Sequence, residues 1–177
     1  IDDTKIVHSL TLAGDWIDVH KDVGPTNQTI GAACALNEIF QLTKDVKYKR
    51  ASKLKLDQAM ESWQEEGFFL EYGGFDVGYS TIALSYLALI YLDTGDLFLK
   101  DISLKMIEKI RQTIDENFQW CYQLTSRKTQ YVYPLGFKVF GSLDLFERFS
   151  SAIEKNEIVT PLWMDDRYSI PLTVDYL

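Results

Sequence analysis

Histidine is almost missing from this 177-residue chain, which carries only His8 and His20. A histidine-rich metal site or a Ser/Cys–His triad therefore has few ways to be built. Cysteine is as scarce. Cys34 and Cys121 make neither a disulfide framework nor a zinc motif, and Cys34, set among small apolar neighbours, reads as a buried free thiol. Positive charge is short too: 18 Lys and Arg face 26 Asp and Glu, for a net charge of −8. Such a surface repels phosphates on average, so nucleic acid is not an expected partner. No apolar run approaches the roughly 20 residues of a membrane span. The longest, at 82–92, is broken by Ser85 and reads as a core helix, so no membrane partner is expected either. P-loop, dinucleotide glycine fingerprint, nucleophile elbow and zinc-binding helix are all absent, and neither a cofactor nor a metal is expected.

What is present is apolar and aromatic. Hydrophobic residues make up 46% of the chain and aromatics 14%, enough for one packed core, and no linker or low-complexity stretch divides residues 1–177. The chain opens Ile1-Asp2-Asp3, with no basic or apolar leader pattern. Without an initiator methionine it reads as trimmed or cut from a longer protein.

Residues 1–26 look irregular, ending in the turn signal Gly24-Pro25. A helix capped by Thr26 or Asn27 then runs to about residue 42, with few charges on any side. The stretch at 46–65 is amphipathic, with Tyr48, Ala51, Leu54, Ala59 and Trp63 on one side and a lysine-rich opposite face. After a glycine- and aromatic-rich loop at 67–79 the pattern recurs: apolar all round at 80–92, amphipathic at 97–117. The junctions repeat as well. Thr43-Lys44-Asp45 lies over Thr94-Gly95-Asp96 at an offset of 51 residues, the difference between Thr43 and Thr94. Two inner-helix, outer-helix hairpins, 27–65 and 80–117, predict a mainly α fold: a two-layered α/α hairpin array, part of a toroid. A small extended element is expected near 118–134, a helix at 135–154, and loop with extended pieces at 158–177. The aromatic segment 135–177, with Phe137, Phe140, Phe146, Phe149 and Trp163, is expected to cap the array; otherwise self-association or the remainder of a longer chain would cover its apolar end.

The loop at 67–79 concentrates the chemistry. Glu71, Tyr72, Asp76 and Tyr79 place two carboxylates and two phenols beside Phe68, Phe69 and Phe75. Aromatic faces stack on sugar rings and carboxylates accept from hydroxyls, so an oligo- or polysaccharide is the expected partner. His20, in Asp15-Trp16-Ile17-Asp18-Val19-His20, precedes the first inner helix and is a candidate for the same funnel.

Asn27-Gln28-x-x-Gly31 opening one inner helix, and Glu66-Gly67-Phe68-Phe69-x-Glu71 running into Gly78-Tyr79 at the next, resemble the helical toroid of the heparinase II/III and alginate lyase group over residues 16–115. The resemblance implies a polysaccharide-processing, lyase-like function. Asn27 would neutralise a uronate carboxylate and Tyr79 would exchange protons at the sugar ring. Glu71, Tyr72, Asp76 and His20 would bind substrate. Ser80 stands where that group usually has histidine, so a cation for Tyr79 would come from His20 or Arg127. A second pattern, Gln64-x-x-Gly67-x-Phe69 followed by Ser80-Thr81-x-Ala83-Leu84, is similar to the squalene-cyclase and prenyltransferase toroids, without the acidic motif of the cyclases. A hydrolase-like activity, a non-catalytic module that binds a glycan or protein on its concave face, and an isoprenoid-type toroid are the other readings of the same architecture.

Overall fold

Two turns of the same construction organise the chain. Helix α2 (Thr26–Thr43) ends where Thr43 Oγ1 donates to the Ile39 carbonyl at 2.7 Å and Lys44 turns left-handed at φ 57°. Asp45 then caps α3 (Val46–Met60) by accepting the Lys47 N–H at 3.0 Å. The later copy repeats each step between α4 (Val77–Thr94) and α5 (Leu97–Arg111). Thr94 Oγ1 donates to Ile90 O at 2.7 Å, Gly95 is left-handed at φ 65°, and Asp96 accepts the Phe98 N–H at 2.9 Å. A left-handed residue after the last helical turn closes the orphan carbonyls, and an aspartate just beyond it closes the next helix's orphan amides.

The computed structural model describes residues 3–20, 24–114, 123, 125–164 and 166–177. The fold is mainly α with a small extended element. Inner helices α2 and α4 pack on each other, while α3 packs on α2 and α5 on α4. Helix α4 has no polar side: Val77, Ile82, Ala83, Leu84, Leu87, Ala88 and Ile90 are all buried. Ser52 Oγ pins α3 to α2 by donating to the Ala33 carbonyl at 2.8 Å. Helix α6 (Leu135–Val139) crosses α4 where Gly136 meets Leu84 so closely that a Cβ would lie 2.4 Å from Leu84 Cγ. The expected 135–154 helix is broken at Gly141, which is left-handed, and resumes as α7 (Leu143–Glu154). Phe137, Phe140 and Phe149 join the core of α4 and α5, whereas Trp163 is exposed.

The paired strands are β1 (Trp63–Gln64) and β2 (Phe68–Phe69), joined through Gly67; β2 lies in the expected loop, but β1 falls inside the helix expected over 46–65, which ends at Met60. Gly67 has φ 90° and sits 2.7 Å, by its would-be Cβ, from the Lys105 carbonyl, so no other residue fits there. Of the 118–134 stretch, residues 125–134 are neither helix nor strand, and most of the rest, including Cys121, lies outside the described residues.

Three further expectations change. Residues 3–19, expected to be irregular, form α1 (Asp3–Val19), which fully buries only Gly14, packs on α2 with Ile17 against the Leu36–Ile39 cluster, and is tied to α3 by polar bonds. The Tyr48 hydroxyl donates to Asp15 Oδ1 at 2.8 Å, and Lys47 pairs with the same carboxylate at 2.7 Å. Thr26 and Asn27 do not cap α2; the cap position is Pro25, which has no side chain able to do so. The tail, expected to be loop, forms a short 3-10 turn (Pro161–Trp163) and α8 (Asp166–Tyr176), with Pro171 inside the helix.

Candidate functional site: a tyrosine-lined pocket

The first turns of α2 and α4 point the same way and open on one cavity of about 480 Å³. Asn27, Gln28 and Gly31 of α2 line one side; Tyr79, Ile82 and Tyr86 of α4 line another. Tyr72, Tyr131, Tyr133 and Pro171 complete it. A groove of about 590 Å³ is larger; residues of α2, α3, α4 and α5 wall it, mixing aliphatics, Phe40 and Phe98 with charged groups such as Lys49, Lys53, Asp57 and Asp93, and none of the expected site residues lines it.

Tyr72 is presented by a tight turn. Glu71 and Gly74 exchange backbone hydrogen bonds at 2.8 and 3.2 Å, and Tyr72 between them is left-handed at φ 53°. Residues 125–129 lie against this turn: Ser126 Oγ donates to Glu71 O at 2.8 Å and Ser126 N to Phe75 O at 2.8 Å. That placement sets the Arg127 guanidinium 4.2 Å from the centre of the Tyr72 ring, a cation–π distance. Tyr72 and Tyr79 rings lie 5.8 Å apart, and Tyr79 is 6.3 Å from Tyr131. Burial raises the Tyr79 phenol above its ordinary range, with Tyr72 adding to the push; hydrogen bonds to Arg127 and Tyr131 oppose it.

The two carboxylates build the walls and leave the cavity to the phenols. Asp76, fully buried, caps α4 by accepting the Tyr79 N–H at 3.1 Å. Its other oxygen accepts from Arg127 N at 2.8 Å, Thr125 Oγ1 at 3.2 Å and Thr129 N at 3.4 Å. Glu71 is 1% exposed, and its Oε1 accepts the Asn27 N–H at 2.6 Å. It thus supplies from a distance the cap that Pro25 cannot give to α2. Burial pushes its carboxyl up to about 7, helped by Asp76 and opposed by the Asn27 and Thr26 N–H groups. Two buried atoms beside this contact, Glu71 Oε2 and Asn27 Oδ1, have no hydrogen-bond partner.

The structure therefore brings Asn27, Tyr72 and Tyr79 to one cavity, with Arg127 as the cation beside Tyr79. His20 is elsewhere: its ring stacks on Trp16 at 3.7 Å and its Nδ1 lies 3.0 Å from Trp16 O. The expected sugar-binding roles of Glu71, Asp76 and His20 do not match these positions, because two are spent on helix caps and the third stays at the end of α1. Tyr86, Tyr131 and Tyr133 are additional to the expected set. Tyr79, Ile82 and Tyr86 fall at helical spacing on one face of α4, and Tyr131 and Tyr133 alternate along an extended segment, so both periods were available in the sequence. Among the described residues no group of three or more His, Cys, Asp or Glu could hold a metal ion, and no helix is long and apolar enough to cross a membrane.

No family model matches this chain, and no curated protein or solved structure matches it. The functional reading rests on the pocket. Its lining is five tyrosines with the side-chain amides of Asn27 and Gln28, and the Arg127 guanidinium lies over the Tyr72 ring at its side.

Proposed function

We propose that the tyrosine-lined pocket binds an acidic sugar unit of a polysaccharide and that Tyr79 moves the proton in a lyase-like elimination. The observation that supports this reading is the convergence of Asn27, Tyr79 and Tyr72 on one cavity, with Arg127 hydrogen-bonded to the Tyr79 side chain. Arg127 and Asn27 would hold the uronate carboxylate, spreading its charge so that the neighbouring C5–H becomes acidic. Tyr79, as phenolate, would take the C5 proton. The electron pair forms the C4=C5 double bond as the C4–O glycosidic bond breaks, and the proton passes from Tyr79 to the leaving oxygen. The overall charge of −8 disfavours a polyanion, but the Arg127 guanidinium beside Tyr72 supplies a local positive charge.

The upward push on Tyr79 favours a second reading, binding without turnover, because a phenol that resists ionisation is a poor base. One experiment separates the two. Incubation with alginate, polygalacturonate and hyaluronan should raise the ultraviolet absorbance of the conjugated C4=C5 product, and Tyr79→Phe should abolish the rise while still binding. Calorimetric binding with no absorbance change supports the module. Neither binding nor absorbance with any acidic polymer defeats both.

A further inference from the structure

We infer that Glu71 is a positioning residue that turns the Asn27 side-chain amide. As a carboxylate it draws the amide NH₂ inward; as a neutral acid it donates its proton to Asn27 Oδ1 and leaves the NH₂ facing the pocket. Both groups hang on one contact: Glu71 Oε1 accepts the N–H of Asn27 itself at 2.6 Å. The second oxygen of Glu71 and the amide oxygen of the same asparagine are both buried and both lack a partner. Two neighbouring buried acceptors are stable only if a donor comes between them, and these two side chains can themselves supply one in two ways. Either the acid carries a proton, or the amide rotates to present its NH₂.

Glu71 is poised to do either. Burial pushes it to about 7, so both protonation states are populated near neutrality. Its surroundings do not force one state. The Asn27 and Thr26 N–H groups at the start of α2 favour the carboxylate, and Asp76 at the start of α4 opposes it. Arg127, from the 125–129 segment, is engaged with Tyr72 and Tyr79, the remaining titratable groups around the turn. Asn27 lines the cavity, so rotating its amide exchanges a donor for an acceptor at the pocket's floor. Resting on the acidic-sugar reading, this makes the pocket receptive to a carboxylate when Glu71 is neutral and repellent when it is charged.

The test uses the 177-residue chain and two probes. In ¹⁵N- and ¹³C-labelled protein without ligand, the Asn27 side-chain amide signals should move in one step whose midpoint matches that of the Glu71 carboxyl carbon. In Glu71→Gln, which keeps a carbonyl for the Asn27 N–H and adds a permanent NH₂ donor, the Asn27 signals should hold the low-pH position throughout. An Asn27 amide that ignores pH in the wild-type chain overturns the inference, as does one that titrates equally in Glu71→Gln. Should that variant fail to fold, the matching of the two wild-type midpoints decides. The second probe is an oligogalacturonate. Its affinity should fall roughly tenfold as pH rises through the Glu71 midpoint, the worth of one charge-assisted hydrogen bond, and stay level in Glu71→Gln. If no acidic oligosaccharide binds while the amide still tracks Glu71, the sugar reading fails and the coupling stands. If an oligosaccharide binds with no dependence on Glu71, the coupling fails and the sugar reading stands.

Discussion

Asp76 holds Arg127 by its backbone: the buried carboxylate accepts the Arg127 N–H at 2.8 Å, while that residue's guanidinium lies 4.2 Å from the Tyr72 ring centre. One aspartate therefore caps α4 and fixes the pocket's cation. Asp76→Ala should cost on the order of 3 kcal/mol, since it removes a helix cap and strands several buried donors. Asp76→Asn should cost less, because the amide oxygen still accepts. Urea unfolding of the two variants checks the order; equal and small losses would show that the carboxylate is not the anchor described.

Stability should fall as pH rises from about 4 to about 7. Glu71 is raised to about 7 and Asp175, buried against Ser85 and α6, to about 6. A carboxyl raised in the folded state binds its proton more tightly there, so its contribution is present at low pH and is lost as pH climbs through the folded value. For Glu71 the loss is on the order of 2 kcal/mol. Glu71→Gln should flatten the upper part of the profile and Asp175→Asn the lower part. Asp15 and Asp144, lowered by Lys47 and Arg111, act in the opposite sense below about pH 4. Melting temperatures across this range provide the measurement, and a profile that rises with pH would reverse the assignment.

Gly78→Ala should loosen the pocket from behind. A Cβ there would lie 2.3 Å from Thr129 Cγ2 and 3.1 Å from Tyr131 O, so the 125–133 segment must lift from α4. The expected loss is roughly 1–3 kcal/mol, with faster amide exchange confined to that segment. Exchange rates unchanged at 125–133 would contradict the close packing.

Tyr48→Phe should free α1 while leaving the core intact. The hydroxyl donates to Asp15 Oδ1 and lies 3.2 Å from the Thr11 carbonyl, and α1 buries little else. Faster exchange along residues 3–19, with the exchange of α4 unchanged, is the expected result.

These contacts explain what the sequence revealed and what it concealed. Helix α4 was legible because an apolar run with no polar side has nowhere to go but the core. The two turns were legible because Thr, a left-handed residue and Asp recur in order. Helix α1 was concealed because it buries little of any one face: only Gly14 is fully buried and Ile17 partly so, and a phenol and an ammonium on α3 supply bonds that leave no periodic trace. Pro171 inside α8 argued for loop, and the helix formed despite it. Glu71 and Asp76 looked like ligand acceptors because sequence gives the carboxylate without the N–H it will meet. A clue did exist for Glu71: Pro25 leaves α2 without a local cap, so a distant side chain had to supply one.

Each of the two turns satisfies its hydrogen bonds within four residues of itself, from Thr43 to Ile39 and Asp45 to Lys47, and from Thr94 to Ile90 and Asp96 to Phe98. A joint that borrows nothing from distant parts of the chain is a natural splice point. The two are interchangeable pieces, and the better one is known in advance. Writing the glycine of the second into the first, Lys44→Gly, relieves a left-handed side chain and should add about 0.5 kcal/mol of stability.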